Sequence, residues 1–167
     1  MASSPAAFAA QPPPFSDQLC PEATSKVIAV QSLTTGADPQ QIYTVARAAA
    51  DAYDVCAKLR LGAQDIEPGT HYATTREAQF GVLAARALIA MKRYDDARRE
   101  LLRDRTMAAD VVGWSASTHG VDPGVTIQTN NRSSRYQAVA QLVVDAATAE
   151  LKNLPATAPS PAPSSTP

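Results

Sequence analysis

Residues 80–91 read FGVLAARALIAM, and the spacing of their apolar side chains decides the fold class of this protein. Six of these side chains recur at i, i+3, i+4, i+7, i+8 and i+11, which is the spacing of one buried face of an α-helix. They are Phe80, Leu83, Ala84, Ala87, Leu88 and Met91. The pattern predicts an amphipathic helix over residues 74–92, with Phe80, Leu83 and Leu88 in the main core.

The same periodicity predicts two helices before this segment. Apolar stripes run over residues 20–30 and 42–56, and residues 34–39 separate them. In that break, Gly36 suits a helix C-cap and Pro39 suits the first turn of the following helix. The two helices are therefore expected to form an antiparallel hairpin.

Two further helices are predicted after it. Apolar stripes mark residues 94–108 and 136–154, and the second of these helices is expected to begin after Ser133 or Ser134 and to end before Pro155. No segment alternates with period two over the length of a regular strand, although residues 124–129 could form a short irregular one. The sequence thus predicts an all-α fold of about five helices in antiparallel hairpins, arranged as a short helical stack or as a bundle.

Composition divides the chain into three parts. Residues 1–16 are expected to be a signal-peptide remnant and extended spacer, residues 17–154 a single helical domain, and residues 155–167 a disordered tail of Pro, Ala, Ser and Thr. Aromatic residues make up only 5% of the chain, so helices packed through small side chains are favoured over strands. A domain of about 135 residues can bury one modest core and leaves no room for a second domain.

Residues 80–108 carry a pattern of small and aromatic residues that is known from a repeat family. Ala85 occupies a close-packing position of the first helix, residues 92–94 form the inter-helix turn with its aromatic residue, and Ala97 is the small residue of the second helix. In these features the segment resembles a tetratricopeptide repeat. The family often has tryptophan, a second alanine and a terminal proline at three positions that here hold Gly81, Asp104 and Ala109. The resemblance implies a right-handed stack whose concave face binds a peptide or protein, whereas an ordinary helix bundle would explain the alanines by packing alone.

Two cysteines lie at matched distances from the first predicted hairpin turn. Cys20 lies 16 positions before Gly36, and Cys56 lies 20 positions after it. Because both helices rise by the same amount per residue, the two sulfurs should reach about the same height along the pair. The sequence therefore predicts a Cys20–Cys56 disulfide; the alternative is a pair of buried free thiols in a cytosolic protein.

The N-terminal residues point to export from the cytoplasm. Ala7-Phe8-Ala9 has the small-x-small pattern that signal peptidase accepts, and three prolines follow at residues 12–14. A charged n-region and an apolar h-region do not precede it, so residues 1–9 are interpreted as the end of a longer signal peptide; the alternative is an ordinary terminus rich in Ala, Ser and Pro. Together with the predicted disulfide, this pattern favours a periplasmic or secreted protein.

Charge and motif content exclude several classes of partner. The formal net charge is −1, with 15 basic and 16 acidic residues, so no overall field would attract nucleic acid. The longest apolar runs are too short for a membrane span. No phosphate-binding, dinucleotide-binding or Cys-x-x-Cys motif occurs, and no cofactor is predicted. The oligomeric state is left open.

Two long connections contain the candidate site residues. They span residues 62–72 and 113–132, and long loops in compact domains are usually functional or mobile. Trp114 is expected to anchor partner binding, with His119 and Asp122 beside it, because tryptophan supplies concentrated contact area. The alternative role for Trp114 is a plug over the end of the helices.

The same connections offer residue types for metal binding or hydrolysis. His71 and His119 are the candidate metal ligands, although their spacing matches no known metal motif. Ser115, His119 and Asp122 are the residue types of a hydrolytic triad, but one loop does not supply the fixed geometry that proton transfer requires.

These features support three hypotheses. The first is a non-enzymatic, exported helical module that binds a protein or peptide partner. The second is a periplasmic protein that binds a small ligand or metal with the 62–72 and 113–132 connections. The third is an accessory hydrolase of the cell envelope, which would need a polar pocket built from two or more segments.

Overall fold

The computed structural model describes residues 17–63, 69–114 and 123–156, and in this part of the chain every regular element is helical. A short 3₁₀ helix, Pro21–Ala23, precedes five α-helices. They are α1 (Thr24–Gln31), α2 (Pro39–Gly62), α3 (His71–Ala90), α4 (Tyr94–Gly113) and α5 (Pro123–Asn153). The predicted all-α fold is therefore confirmed. The N-terminal segment 1–16 and tail residues 157–167 lie outside the described residues.

Two turns between helices contain a residue with left-handed backbone. Gly36 has φ of 89° in the turn before α2, and Lys92 has φ of 60° in the turn between α3 and α4. Glycine adopts this region without strain, which suits Gly36 to its position. Gly36 does not cap the preceding helix as the sequence predicted, because α1 ends at Gln31 and its C-cap is Ser32. Pro39 is the first residue of α2, as predicted.

The last two helices are longer than their apolar stripes. α4 continues to Gly113 rather than ending near Ala108. α5 begins at Pro123 rather than after Ser133 or Ser134. The predicted 113–132 loop is therefore wrong at Gly113 and over residues 123–132, and the possible strand at residues 124–129 is wrong. Residues 115–122 of the predicted loop lie outside the described residues. Residues 126–135 are mostly polar, so hydrophobic periodicity cannot detect a helix there, whereas a proline at the first helical position is a valid start signal.

The core consists of two clusters on opposite sides of α3. The first joins the N-terminal elements and α2 to α3, and its buried members are Cys20, Ala23, Val27, Ala49, Ala50, Tyr53, Cys56, Ala73 and Phe80. The second joins α3 to α4 and α5, and its buried members are Ala78, Val82, Ala85, Leu101, Ala108, Val111, Ala140, Val143 and Ala147. α3 packs against α2, α4 and α5. Because α3 contacts helices on more than one side, its buried residues extend beyond the single stripe that the sequence predicted.

Core residues predicted from that periodicity are buried. Phe80 is 8% exposed and Leu88 is 2% exposed, while Leu83 is partly buried and packs against the first cluster. The Phe80 ring stacks on Tyr53 with centroids 5.8 Å apart. These few aromatic contacts supplement a core that otherwise consists mainly of alanine.

The predicted pairing of the two cysteines is present, although Cys20 precedes the 3₁₀ helix and α1 rather than lying on the first helix as predicted. Cys20 and Cys56 form a disulfide with a Cα–Cα distance of 5.7 Å. Both residues are buried in the first cluster, so the covalent bond lies inside the contact between the N-terminal elements and α2. A bridge of this kind is compatible with an oxidising compartment.

The Asp17 carboxylate links the start of the described chain to the first cluster by hydrogen bonds. Its Oδ1 accepts hydrogen bonds from the backbone N–H groups of Leu19 and Cys20, at 3.0 and 2.9 Å. Its Oδ2 accepts a hydrogen bond of 2.6 Å from each of the hydroxyls of Tyr53 and Tyr72. A buried carboxylate with four donors is well compensated for its loss of hydration. Asp17 therefore ties the residues beside the disulfide to both α2 and α3.

None of the described helices combines the length and the apolar character that crossing a membrane requires.

Candidate functional site

The antiparallel pair of α3 and α4 places His71 beside Trp114. His71 begins α3, and Trp114 directly follows α4. Lys92, in the turn between the helices, lies 21 positions after His71 and 22 positions before Trp114, so helical rise brings the two residues to the same height. Their rings pack edge to face, with centroids 4.8 Å apart and an interplanar angle of 72°.

A cavity of about 260 Å³ opens next to these two rings. We call it the His71–Trp114 pocket, and its lining residues are His71, Thr74, Met107, Asp110, Val111 and Trp114. The α3 residues are three apart and the α4 residues follow i, i+3, i+4 and i+7 spacing, so each helix contributes one face. The pocket therefore lies in the groove between the start of α3 and the end of α4.

Helix α5 holds the wall of the pocket that carries the indole. The Gln137 amide nitrogen donates hydrogen bonds to the carbonyl oxygens of Trp114, at 2.9 Å, and of Val112, at 3.4 Å. These carbonyls end α4, where the helix itself leaves the last acceptors without donors. Val111 is buried in the cluster that α4 forms with α5. The backbone that carries Trp114 is thus fixed by both packing and hydrogen bonds.

The pocket combines apolar surface with one negative charge. Asp110 is exposed and lies in the last turn of α4, where no basic residue occurs. Within the described residues, Asp110 makes no ion pair. The C-terminal end of a helix carries partial negative charge, so an acidic side chain there is electrostatically unfavourable until a cation approaches. Trp114 and Met107 supply the polarisable surface around it.

Among the predicted site residues, the structure brings His71 and Trp114 together. His71 is buried, 6% exposed, as the first residue of α3 rather than part of a loop. Ser115, His119 and Asp122 lie outside the described residues. The predicted partner-binding role of His119 and Asp122, the metal pair of His71 with His119, and the triad residues are therefore not placed.

One group of potential metal ligands occurs among the described residues, and it consists of Cys20, Glu22 and Cys56. Because the two cysteine sulfurs are bonded to each other, they carry no thiolate that could bind a metal ion.

A second polar cluster lies buried between α2, α3 and α4, and the sequence predictions missed it. Asp104 is 0% exposed, and neither of its carboxylate oxygens has a hydrogen-bond partner among the residues that the structure describes. It packs directly on Gly81 of α3, where a Cβ atom would overlap the carboxylate. The nearest ion-pair atom is Arg103 Nε, 3.9 Å from Oδ1. Asp104 continues the buried stripe of α4 between Leu101 and Ala108, so the helical period could have located it.

Burial dominates the electrostatics of this cluster. Loss of hydration, reinforced by the Glu100 carboxylate, raises the pKa of Asp104 to about 8, and nearby Arg103 and Arg47 oppose the shift. Burial also raises the pKa of Glu77, although Arg103 donates to its Oε1 at 2.6 Å. Arg47 of α2 bonds to Glu100 of α4, which links the two helices across α3. Asp104 therefore binds a proton at neutral pH that it would lose in the unfolded chain.

The chain matches no protein-family model, and no curated protein and no solved structure matches it.

Proposed function

We propose that this protein is an exported, non-enzymatic helical module that binds a protein or peptide partner through the His71–Trp114 pocket. The observation that carries the proposal is a concave site formed by two helix ends, with a half-buried tryptophan in its wall. Tryptophan is enriched among the residues that dominate binding energy at interfaces. A pocket whose backbone is held by a third helix is also preorganised, which lowers the entropy lost on binding.

The size of the pocket favours a peptide side chain over a larger ligand. Its volume of about 260 Å³ lies below the roughly 300–1,000 Å³ of typical small-molecule sites. One large side chain of a partner would fill this volume, while the rest of the partner would lie over the neighbouring surface of α3 and α4. The small-ligand hypothesis is then an alternative outcome of the binding experiment.

Two further features support the proposal. The Cys20–Cys56 bridge and the Ala7-Phe8-Ala9 pattern favour a periplasmic or secreted location. The tetratricopeptide-like character of α3 and α4 favours a peptide-binding role, and its two small residues, Ala85 and Ala97, are fully buried. Gly81 and Asp104, two of the residues that depart from the family pattern, contact each other. The missing side chain of Gly81 leaves the space that the Asp104 carboxylate occupies.

Selection of displayed random peptides on the oxidised full-length protein tests this function. We expect enriched peptides that bind in the micromolar range and change the fluorescence of Trp114, which is the only tryptophan in the sequence. Calorimetry should show weaker binding to Trp114→Ala and to Thr74→Met, whose longer side chain fills the pocket. Leu59→Ala, at an exposed position on α2, is the control and should bind normally.

Circular dichroism establishes that each variant is folded before binding is compared. Enriched peptides that bind both pocket variants as tightly as the wild-type protein would refute the pocket as the binding site. Failure to enrich any peptide, combined with tight binding of a small metabolite that quenches Trp114, would favour the small-ligand hypothesis instead.

A further inference from the structure

We infer that the His71–Trp114 pocket recognises a basic side chain, lysine or arginine, of the peptide partner. This inference rests on the proposed function and specifies the chemistry of the group that enters the pocket. It follows from the charge, the aromatic surface and the shape of the site, which together match a cation on an apolar stem.

The negative charge of the pocket comes from Asp110. The Asp110 carboxylate lies in the last turn of α4, close to the negative end of the helix dipole, and no ion pair involves it among the residues that the structure describes. Two other acidic residues of α4 are paired, since Asp96 bonds to Arg93 and Arg99 and Glu100 bonds to Arg47. Asp95 makes no ion pair with the described residues either, but it lies in the first turn, at the positive end of the helix dipole. Asp110 is therefore placed to receive a cation from outside the chain.

Two basic side chains on the helices that line the pocket are engaged elsewhere. Arg103 lies two turns before Asp110 on the same face of α4, and it bonds to Glu77 at 2.6 Å. Arg76 of α3 lies over the rings of Tyr53 and Phe80, at 5.5 and 5.0 Å from their centroids. Neither guanidinium would have to be displaced from the pocket when a partner binds.

The remaining walls suit the stem and the charged head of a basic side chain. Met107 and Val111 offer apolar contact to the methylene groups, since long basic side chains bury their stems along apolar surface. The Trp114 indole lies four residues after Asp110, which is one helical turn, and tryptophan is the preferred ring for cation–π contacts. A cation between carboxylate and indole gains both interactions at once.

A series of five capped peptides, acetyl-Gly-Ala-Xaa-Ala-Gly-amide, tests the inference with Xaa as Arg, Lys, norleucine, Phe or Glu. Titrations at low ionic strength, followed by Trp114 fluorescence and by the NMR signal of its indole N–H, report occupancy of the pocket. We expect the Arg and Lys peptides to bind at least about tenfold more tightly than the other three, and to weaken as salt is added.

Asp110→Asn keeps the shape of the side chain and removes its charge. It should lower affinity for the Arg peptide about tenfold and abolish the preference over norleucine. Asp95→Asn removes an exposed charge from the opposite end of α4 and should leave affinity unchanged.

Two results would overturn the inference. Tighter binding of the norleucine or Phe peptide would identify an apolar anchor, which would leave the proposed function intact. Absence of any response to the basic peptides up to millimolar concentration would also overturn it. The selection of displayed peptides would then test the proposed function independently.

Discussion

Replacing Gly81 with alanine should destabilise the wild-type protein and stabilise a variant that carries Asp104→Ala. Gly81 of α3 lies directly against Asp104 of α4, where an added Cβ would overlap both carboxylate oxygens. The carboxylate cannot move away cheaply, because Asp104 is fully buried. With alanine at position 104, the space that the carboxylate occupied becomes available to the new methyl group.

The expected magnitudes come from two opposing terms. Alanine in a helix interior is favoured over glycine by about 1 kcal/mol. Inserting a methyl group into a packed site costs roughly 1–3 kcal/mol, which equals or exceeds that gain. Gly81→Ala should therefore lower the unfolding free energy by up to about 2 kcal/mol in the wild-type protein and raise it by about 1 kcal/mol in the Asp104→Ala background. The coupling between the two sites is then about 1–3 kcal/mol.

Urea denaturation of the four variants at constant pH, followed by circular dichroism with the disulfide intact, measures this cycle. Gly62→Ala is the matched control, because its added Cβ would meet no described atom within 4 Å beyond its own stretch of helix. Its effect should be the same in both backgrounds. Effects of Gly81→Ala that agree within about 0.5 kcal/mol in the two backgrounds would refute the contact between Gly81 and Asp104.

Three further predictions concern pH, the disulfide and the support of the pocket. The pKa of Asp104 is raised from 3.8 to about 8 in the folded protein, so stability should fall as pH rises between about 4 and 8, by up to about 1.4 kcal/mol per pH unit. Asp104→Ala should flatten this part of the profile in calorimetric melting, and an unchanged slope would contradict the assignment to Asp104. Intact mass after thiol alkylation should show no modified cysteine until the protein is reduced, and reduction of the bridge, which spans 36 positions, should cost about 3–4 kcal/mol of stability; two freely alkylated thiols in protein purified under oxidising conditions would exclude the disulfide. Gln137→Ala should lower stability by about 1 kcal/mol and shift Trp114 emission to longer wavelength, whereas an unaltered spectrum would show that α5 does not hold the indole.

Helical periodicity predicted the buried faces of the helices, because these depend on local sequence. The buried faces of α2, α3 and α4 repeat every three to four residues, because each of these helices must hide one side from water. The start of α5 lacked such a stripe, so its first turns were mistaken for loop. Helix formation there depends on continuation from Pro123, which a search for apolar faces does not detect.

Only some residues of the His71–Trp114 pocket could be predicted, because the pocket forms between two helices that are separate in the sequence. Trp114 and His71 were recognised as candidates by residue type, but they were assigned to separate loops. Counting residues from the turn at Lys92 would have brought them to the same height, as the same reasoning did for Cys20 and Cys56. Asp110 gave no signal of its own, since an acidic residue on a polar helix face is common.

The sequence alone predicted the all-α class and located the turns before α2 and between α3 and α4, because these follow from helical period and turn residues. It also favoured the pairing of Cys20 with Cys56. Tertiary structure decided which polar groups are buried and which groups share a cavity. Asp17 accepts hydrogen bonds from tyrosine hydroxyls of two helices, and Asp104 packs against a glycine of a neighbouring helix. Asp110 and Trp114 line the same pocket. Burial and proximity are properties of several segments together, and hydration, charge and pKa respond to that combined environment rather than to the neighbouring residues in the chain.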